Sequence, residues 1–79
     1  MDENSKFTVW VGDCFGGYSK AGSGLNGLEA IELDKLESSM ADYFTSTIIT
    51  LDSDDRQPRN EVYREDIRKL YRNVINYQI

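Results

Sequence analysis

The sequence predicts one small α+β domain, with a two- or three-stranded sheet packed against two helices and an amphipathic C-terminal helix. Three observations carry this prediction. Apolar and polar residues alternate from residue 6 to 13, residues 45–51 are rich in β-branched side chains, and apolar residues recur every three or four positions after residue 61. A chain of 79 residues leaves room for one domain, 1–79, with residues 1–5 as a flexible N-terminus.

The first strand is predicted from Lys6 to Asp13, because Phe7, Val9 and Val11 fall on one side of an extended chain. Five glycines between residues 16 and 27 then break any regular period. This stretch is predicted to be a loop, and a short hairpin through Tyr18 and Leu25 within it is the alternative.

Two interpretations of residues 27–44 compete. Asn26 with Glu29, and Asp34 with Glu37, each have the spacing of a helix cap followed by an acid three residues later. The second pair is favoured because apolar residues follow it at helical spacing, which predicts a strand at 28–33 and a helix at 35–45. A single helix over 27–44 is the alternative.

The third predicted strand covers 45–51, and a turn covers 52–59. Asn60 is predicted to be the N-cap of the final helix, with Glu61 in the positive first turn of that helix. The apolar stripe of this helix and the apolar side of the strands define the expected core, which comprises Phe7, Val9, Val11, Leu36, Met40, Phe44, Ile48, Leu51, Ile67, Leu70, Tyr71 and Val74.

Cysteine and histidine usage limits the chemistry that the chain can perform. Cys14 is the only cysteine and there is no histidine, so neither an internal disulfide nor a zinc site of the usual Cys/His type is expected. The serines lack the usual catalytic base. We therefore expect no enzymatic activity, no cofactor and no metal. The lone thiol and the polar N-terminus predict a cytoplasmic protein with no membrane segment.

Two short motifs match known ligand-binding patterns only in part. Residues 22–27 match GxGxxG, but a dinucleotide-binding loop needs its first glycine directly after a strand, and here the strand ends near Asp13. Asp52 and Asp54 begin like a calcium-binding EF-hand loop, yet Gln57 stands where glycine is required and Tyr63 where a bidentate glutamate belongs.

Charge is distributed unevenly. The net charge is −5, residues 1–55 carry eleven acids and three lysines, and residues 56–79 carry six basic and three acidic side chains. If the acids share one surface, they would attract a basic surface of another protein. The candidate partner-binding residues are Glu29, Glu32, Glu37, Asp42, Asp52, Asp54 and Asp55, with Tyr18 and Trp10 supplying shape.

The sequence is also compatible with two other modes of association. Arg64, Arg68 and Arg72 recur every four residues and would contact phosphates if the chain bound nucleic acid, although neighbouring acids and the acidic body oppose this. A thin core favours a homodimer, with Trp10, Tyr18 or Tyr77 as exposed interface anchors. A structural subunit of a larger assembly is the remaining alternative.

The segment VWVGD at 9–13, Tyr18 and the segment GLNG at 24–27 together resemble the opening of ArdA-type antirestriction proteins. This chain is much shorter than members of that family and lacks their downstream pattern. The resemblance implies a small anti-defence protein of a phage or another mobile element. The function expected is that of a non-catalytic inhibitor or adaptor whose acidic face engages a basic surface of a host protein that handles nucleic acid.

Overall fold

The computed structural model describes residues 1–13, 15–40 and 45–72. The strands form one antiparallel sheet in the order β2-β1-β3. This architecture confirms the predicted α+β class. The elements are, in chain order, β1 (Phe7–Gly12), β2 (Tyr18–Leu25), α1 (Gly27–Met40), β3 (Ser46–Leu51) and α2 (Arg64–Leu70).

The two strands predicted from side-chain pattern are confirmed, and they pair with each other. β1 and β3 keep one register from Phe7 opposite Leu51 to Gly12 opposite Ser46. The pairing of β1 with β2 is irregular, with register shifts on both sides of Val9.

β2 lies in the glycine-rich stretch that was predicted mainly as a loop, and it runs between the residues of the alternative hairpin, Tyr18 and Leu25. Hydrogen bonds between the backbones of β1 and β2 stabilise this strand, so it forms without an apolar side-chain pattern of its own. At Gly22 a Cβ atom would lie 2.8 Å from Cδ2 of Leu33. The glycine therefore allows α1 to approach the sheet closely.

The strand predicted at 28–33 is wrong, because a single helix, α1, covers these residues. Its N-terminus is a capping box: Asn26 Oδ1 accepts a hydrogen bond from the Glu29 backbone N–H at 2.8 Å, and Glu29 Oε1 accepts one from the Asn26 N–H at 3.0 Å. Two otherwise unpaired backbone donors are satisfied at this end, so the helix begins here and not at Asp34.

The buried stripe of α1 consists of Gly27, Ala30, Ile31 and Asp34, which recur at helical spacing. Small and charged residues make up most of this stripe, so it has no apolar signature in the sequence. Two residues of α1 that were expected in the core face solvent, since Leu36 is 55% exposed and Met40 is 64% exposed.

The core lies between the sheet and the two helices. Of the predicted members, Phe7, Val9, Ile67 and Tyr71 are buried and Leu70 packs against them. Val11 and Ile48 are half-buried, and Leu51 is 44% exposed. Phe44 and Val74 lie outside the described residues. The buried hydrophobic cluster consists of Phe7, Val9, Ala30, Ile31, Ile49, Ile67 and Tyr71.

α2 begins later than predicted. Asn60 has a φ of 57°, so it is not the N-cap, and Tyr63 occupies that position without a side-chain capping bond. The amphipathic character is confirmed within the described turns, where Ile67 is buried and Arg68 and Lys69 are exposed. Residues 73–79 of the predicted helix lie outside the described part.

Tyr71 joins three segments of the chain. Its hydroxyl accepts a hydrogen bond from the Gly27 backbone N–H at 3.0 Å and donates one to the carbonyl of Glu3 at 3.0 Å. Glu3 lies in a turn closed by hydrogen bonds between Asp2 and Ser5. The end of α2 is thereby fixed to the start of α1 and to the N-terminal residues. In the part of the chain that the structure describes, neither helix has the length and apolar character needed to cross a membrane.

Candidate protein-binding surface

Asp52, which follows β3, forms hydrogen bonds on the face of the sheet that is opposite the helices. One of its oxygens accepts a hydrogen bond from Oγ1 of Thr8 at 2.6 Å, and its carboxylate also accepts from the N–H of Gly24 at 3.0 Å. Thr8 is on β1 and Gly24 is on β2, so one carboxylate connects all three strands. Asp52 therefore has a structural role in addition to its predicted place on a partner-binding surface.

Trp10 lies on this same face and is only 2% exposed. Its indole N–H donates to Oγ1 of Thr50 at 2.9 Å. Lys20 lies over the ring, with Nζ 5.2 Å from the ring centroid, and donates to the carbonyl of Ser53 at 3.2 Å. The prediction that Trp10 is an exposed interface anchor is therefore wrong. Alternation along a strand cannot show that both faces of a central strand are covered.

The outer face of α1 is formed by Leu28, Glu29, Glu32, Leu36 and Met40, all of them exposed. At about 100° per residue these five side chains occupy an arc of roughly 120°, opposite the buried stripe. Leu28 is 41% exposed, Leu36 55% and Met40 64%. The two carboxylates lie between Leu28 and Leu36 along the helix, and exposed apolar side chains bordered by polar ones mark candidate interaction sites.

The predicted acidic residues do not form one surface. Glu29 and Glu32 lie on the outer face of α1, whereas Asp52 bonds to Thr8 on the opposite face of the sheet. Asp54 lines a depression of about 460 Å³ beside Lys20. The remaining residues of the set lie apart from the outer face of α1 or outside the described part: Glu37 is half-buried, Asp55 forms an ion pair with Arg59 at 3.7 Å, and Asp42 is outside the described residues.

Tyr18 is half-buried, with its ring lying against Gly12. A Cβ atom at residue 12 would lie 2.6 Å from Cε1 of Tyr18, so the glycine makes room for the ring. Tyr18 thus packs on the sheet, with part of its side chain left accessible to a partner.

The three candidate arginines for nucleic-acid contact, Arg64, Arg68 and Arg72, have different environments. Arg64 forms an ion pair with Asp34, which is only 5% exposed, and its guanidinium also donates to Oγ of Ser38 at 3.3 Å. Arg68 and Arg72 are exposed. Arg64 therefore fastens α2 to α1, and the sequence pattern did not reveal this pair because its two residues are thirty positions apart.

Arg64 also borders a surface depression of about 440 Å³ between β3 and the start of α2. Its lining mixes both charge signs, with Glu61 and Glu65 beside Arg64 and Arg68. Ser38 continues the polar contacts to Thr47 on β3, with 2.6 Å between the two hydroxyl oxygens. Because acids and bases alternate here, this region lacks the uniform positive potential that attracts a phosphate backbone.

No protein-family model, curated protein or solved structure matches this chain. Among residues 1–13, 15–40 and 45–72 there is no group of three acidic or cysteine side chains placed to hold a metal ion.

Proposed function

We propose that this protein is a non-catalytic protein-binding domain, an inhibitor or adaptor. It binds a basic surface of another protein through the outer face of α1. One observation carries the proposal. Leu28, Leu36 and Met40 are exposed on the side of α1 away from the core, and Glu29 and Glu32 lie between them.

The two kinds of side chain have separate tasks in this proposal. Burial of the apolar side chains supplies affinity, about 25 cal/mol for each Å² of apolar surface removed from water. The carboxylates select a partner with lysines or arginines around an apolar groove, as in complexes where one helix lies in a groove. The net charge of −5 accelerates the encounter with such a partner.

The partner class that this charge favours is a protein whose basic surface handles nucleic acid. Carboxylates on α1 would compete there with phosphate groups, and binding would block the site. A role against host defence, in a phage or another mobile element, is the biological setting that we propose for such an inhibitor.

The test compares charge reversal on α1 with charge reversal at Asp54. Wild-type chain is immobilised, the protein that it captures from host extract is identified and purified, and the affinity is measured by calorimetry at several salt concentrations. We expect Glu29→Lys with Glu32→Lys to weaken binding about tenfold or more and to flatten the salt dependence, since about 1.4 kcal/mol corresponds to a factor of ten.

The matched control is Asp54→Lys, which reverses one exposed charge beside Lys20 and is compared with Glu32→Lys alone, so that both variants change the net charge by about two units. Its effect should be within about threefold, because a charge remote from an interface acts only through the screened long-range field. Equal effects of the two changes, or none from the α1 pair, would show that α1 does not carry the interaction.

A further inference from the structure

Between β1 and β2, the carboxylate of Asp13 accepts hydrogen bonds from two backbone N–H groups. Asp13 Oδ1 accepts hydrogen bonds from the backbone N–H groups of Phe15 at 2.8 Å and Gly17 at 2.9 Å. The backbone closes the turn as well: the Asp13 N–H donates to the Gly17 carbonyl at 2.8 Å, and the Gly16 N–H donates to the Asp13 carbonyl at 3.3 Å. Gly16 has a φ of 83°, a conformation that favours glycine.

Phe15 is displayed at the tip of this turn and is 93% exposed. Burial of this ring by a partner would remove its apolar surface from water, which contributes about 25 cal/mol for each Å². Because these hydrogen bonds restrain the backbone at residues 13 and 15–17, less backbone entropy is lost there when the ring is buried by a partner. Rigid aromatic side chains of this kind are typical binding anchors.

The turn lies at the same end of the domain as the C-terminal end of α1. Gly12, the last residue of β1, pairs with Ser46 at the start of β3. Ser38, near the end of α1, has its Oγ atom 2.6 Å from Oγ1 of Thr47, the next residue of β3. The exposed side chain of Met40 follows two residues later. One partner can therefore contact the turn and the outer face of α1 together.

We propose that Phe15 is an aromatic anchor that inserts into an apolar pocket of the partner protein bound by α1, with Asp13 as the residue that positions it. The inference rests on the proposed function. Basic side chains are expected around the rim of this pocket, because Asp13 lies at the base of the turn and the chain as a whole is negative. An anionic membrane would repel the same charges.

A second copy of this chain is a poorer match for Phe15. The surface depressions of about 440 and 460 Å³ in the described part of the chain are lined mainly by charged and hydroxyl side chains. An aromatic ring placed there would desolvate polar groups without pairing them. The exposed apolar side chains of α1 on a second copy lie beside Glu29 and Glu32, whose carboxylates would repel Asp13. A different protein is therefore the occupant to which the geometry points.

The test begins with the photoreactive analogue p-benzoylphenylalanine in place of Phe15. The labelled chain is irradiated in host extract, and the adducts are identified by mass spectrometry. The same analogue at Tyr63, which is 62% exposed in the segment before α2, is the matched control. We expect position 15 to give one protein adduct and Tyr63 to give a different or weaker pattern.

The protein found in that adduct is then purified and titrated against variants. Phe15→Ala should weaken binding at least about thirtyfold, as expected for an anchor residue, while Tyr63→Ala changes it less than about threefold. Asp13→Ala should reproduce most of the loss. Asp13→Asn, which keeps an oxygen at Oδ1, should restore binding. Trp10 fluorescence verifies that each variant stays folded.

The outcomes separate this inference from the proposed function. If reversal of Glu29 and Glu32 weakens binding and Phe15→Ala does not, the anchor is refuted and the role of α1 stands. If only Phe15→Ala weakens binding, Phe15 is an anchor by itself, and the role of α1 is refuted together with the claim that Phe15 and α1 bind one partner. Adducts with lipid alone, with a second copy alone, or with no molecule overturn the anchor.

Discussion

Gly27→Ala is the sharpest test of how the two helices pack. An added Cβ atom would lie 2.5 Å from Cε2 of Tyr71 and 2.6 Å from Cγ2 of Ile67. Both side chains belong to the buried cluster, with Ile67 0% and Tyr71 8% exposed, so neither has space to move away. The helices must separate, which also weakens the hydrogen bond from the Gly27 N–H to the Tyr71 hydroxyl.

The expected net cost follows from three contributions. Overpacking a close-packed core costs about 1–3 kcal/mol, and the weakened hydrogen bond about 0.5–1.5 kcal/mol. Alanine in place of glycine returns at most about 1 kcal/mol of helix propensity. We therefore expect Gly27→Ala to lower the free energy of unfolding by about 0.5–4.5 kcal/mol. For a domain of this size the midpoint of thermal unfolding falls by at least about 2 °C.

Denaturant unfolding is the appropriate assay, with Trp10 as the probe. This is the single tryptophan of the chain, and it is buried in the folded state, so its emission reports global unfolding. Lys35→Ala, an exposed change in the same helix, is the control and should stay within about 0.5 kcal/mol of wild type. A Gly27→Ala protein that is as stable as wild type would refute the close contact between the helices.

Three further predictions follow from the same contacts. Asp52→Ala should cost about 1–3 kcal/mol of unfolding free energy, because it leaves the buried Thr8 hydroxyl without its acceptor, while Asp54→Ala should be neutral; equal effects in chemical denaturation would contradict the bridging role of Asp52. Asp34→Ala and Arg64→Ala should each destabilise the fold, and the double variant should show a coupling of about 0.5–3 kcal/mol; strict additivity would mean that the ion pair is not formed. In a mobility-shift titration at low salt the wild-type chain should not shift DNA or RNA up to about 10⁻⁴ M, the weak end of non-specific affinities; a shift at lower concentration would favour nucleic-acid binding.

Elements with a strong local signal could be predicted from the sequence. The alternation around Phe7 and Val9 gave β1, the β-branched run gave β3, and the spacing of Ile67, Leu70 and Tyr71 gave α2. The sequence predicts α1 only in part. The buried stripe of this helix consists mostly of small or charged residues, while Leu28, Leu36 and Met40 face outward. Periodicity identifies apolar side chains that share one face of a helix, but it cannot show whether that face packs on the core or stays exposed.

The site could be predicted only in part, for a different reason. The sequence identified Glu29 and Glu32 as binding candidates, and the outer face of α1 contains both. It grouped them with Asp52, but the sheet separates this residue from the helix. The interaction roles of all these residues stay predictions, since the structure shows where they lie and not what they bind.

The sequence by itself determined the α+β class, the two pattern-rich strands, the net negative charge and the supply of acidic and apolar side chains for a binding surface. These features depend on composition and on residues within a few positions of one another. The tertiary structure alone decided that Trp10 is covered, that Asp34 pairs with Arg64, and that Phe15 and Met40 lie at one end of the domain. Such contacts join residues far apart in the chain, and only the packing of helices on a sheet fixes which of them meet.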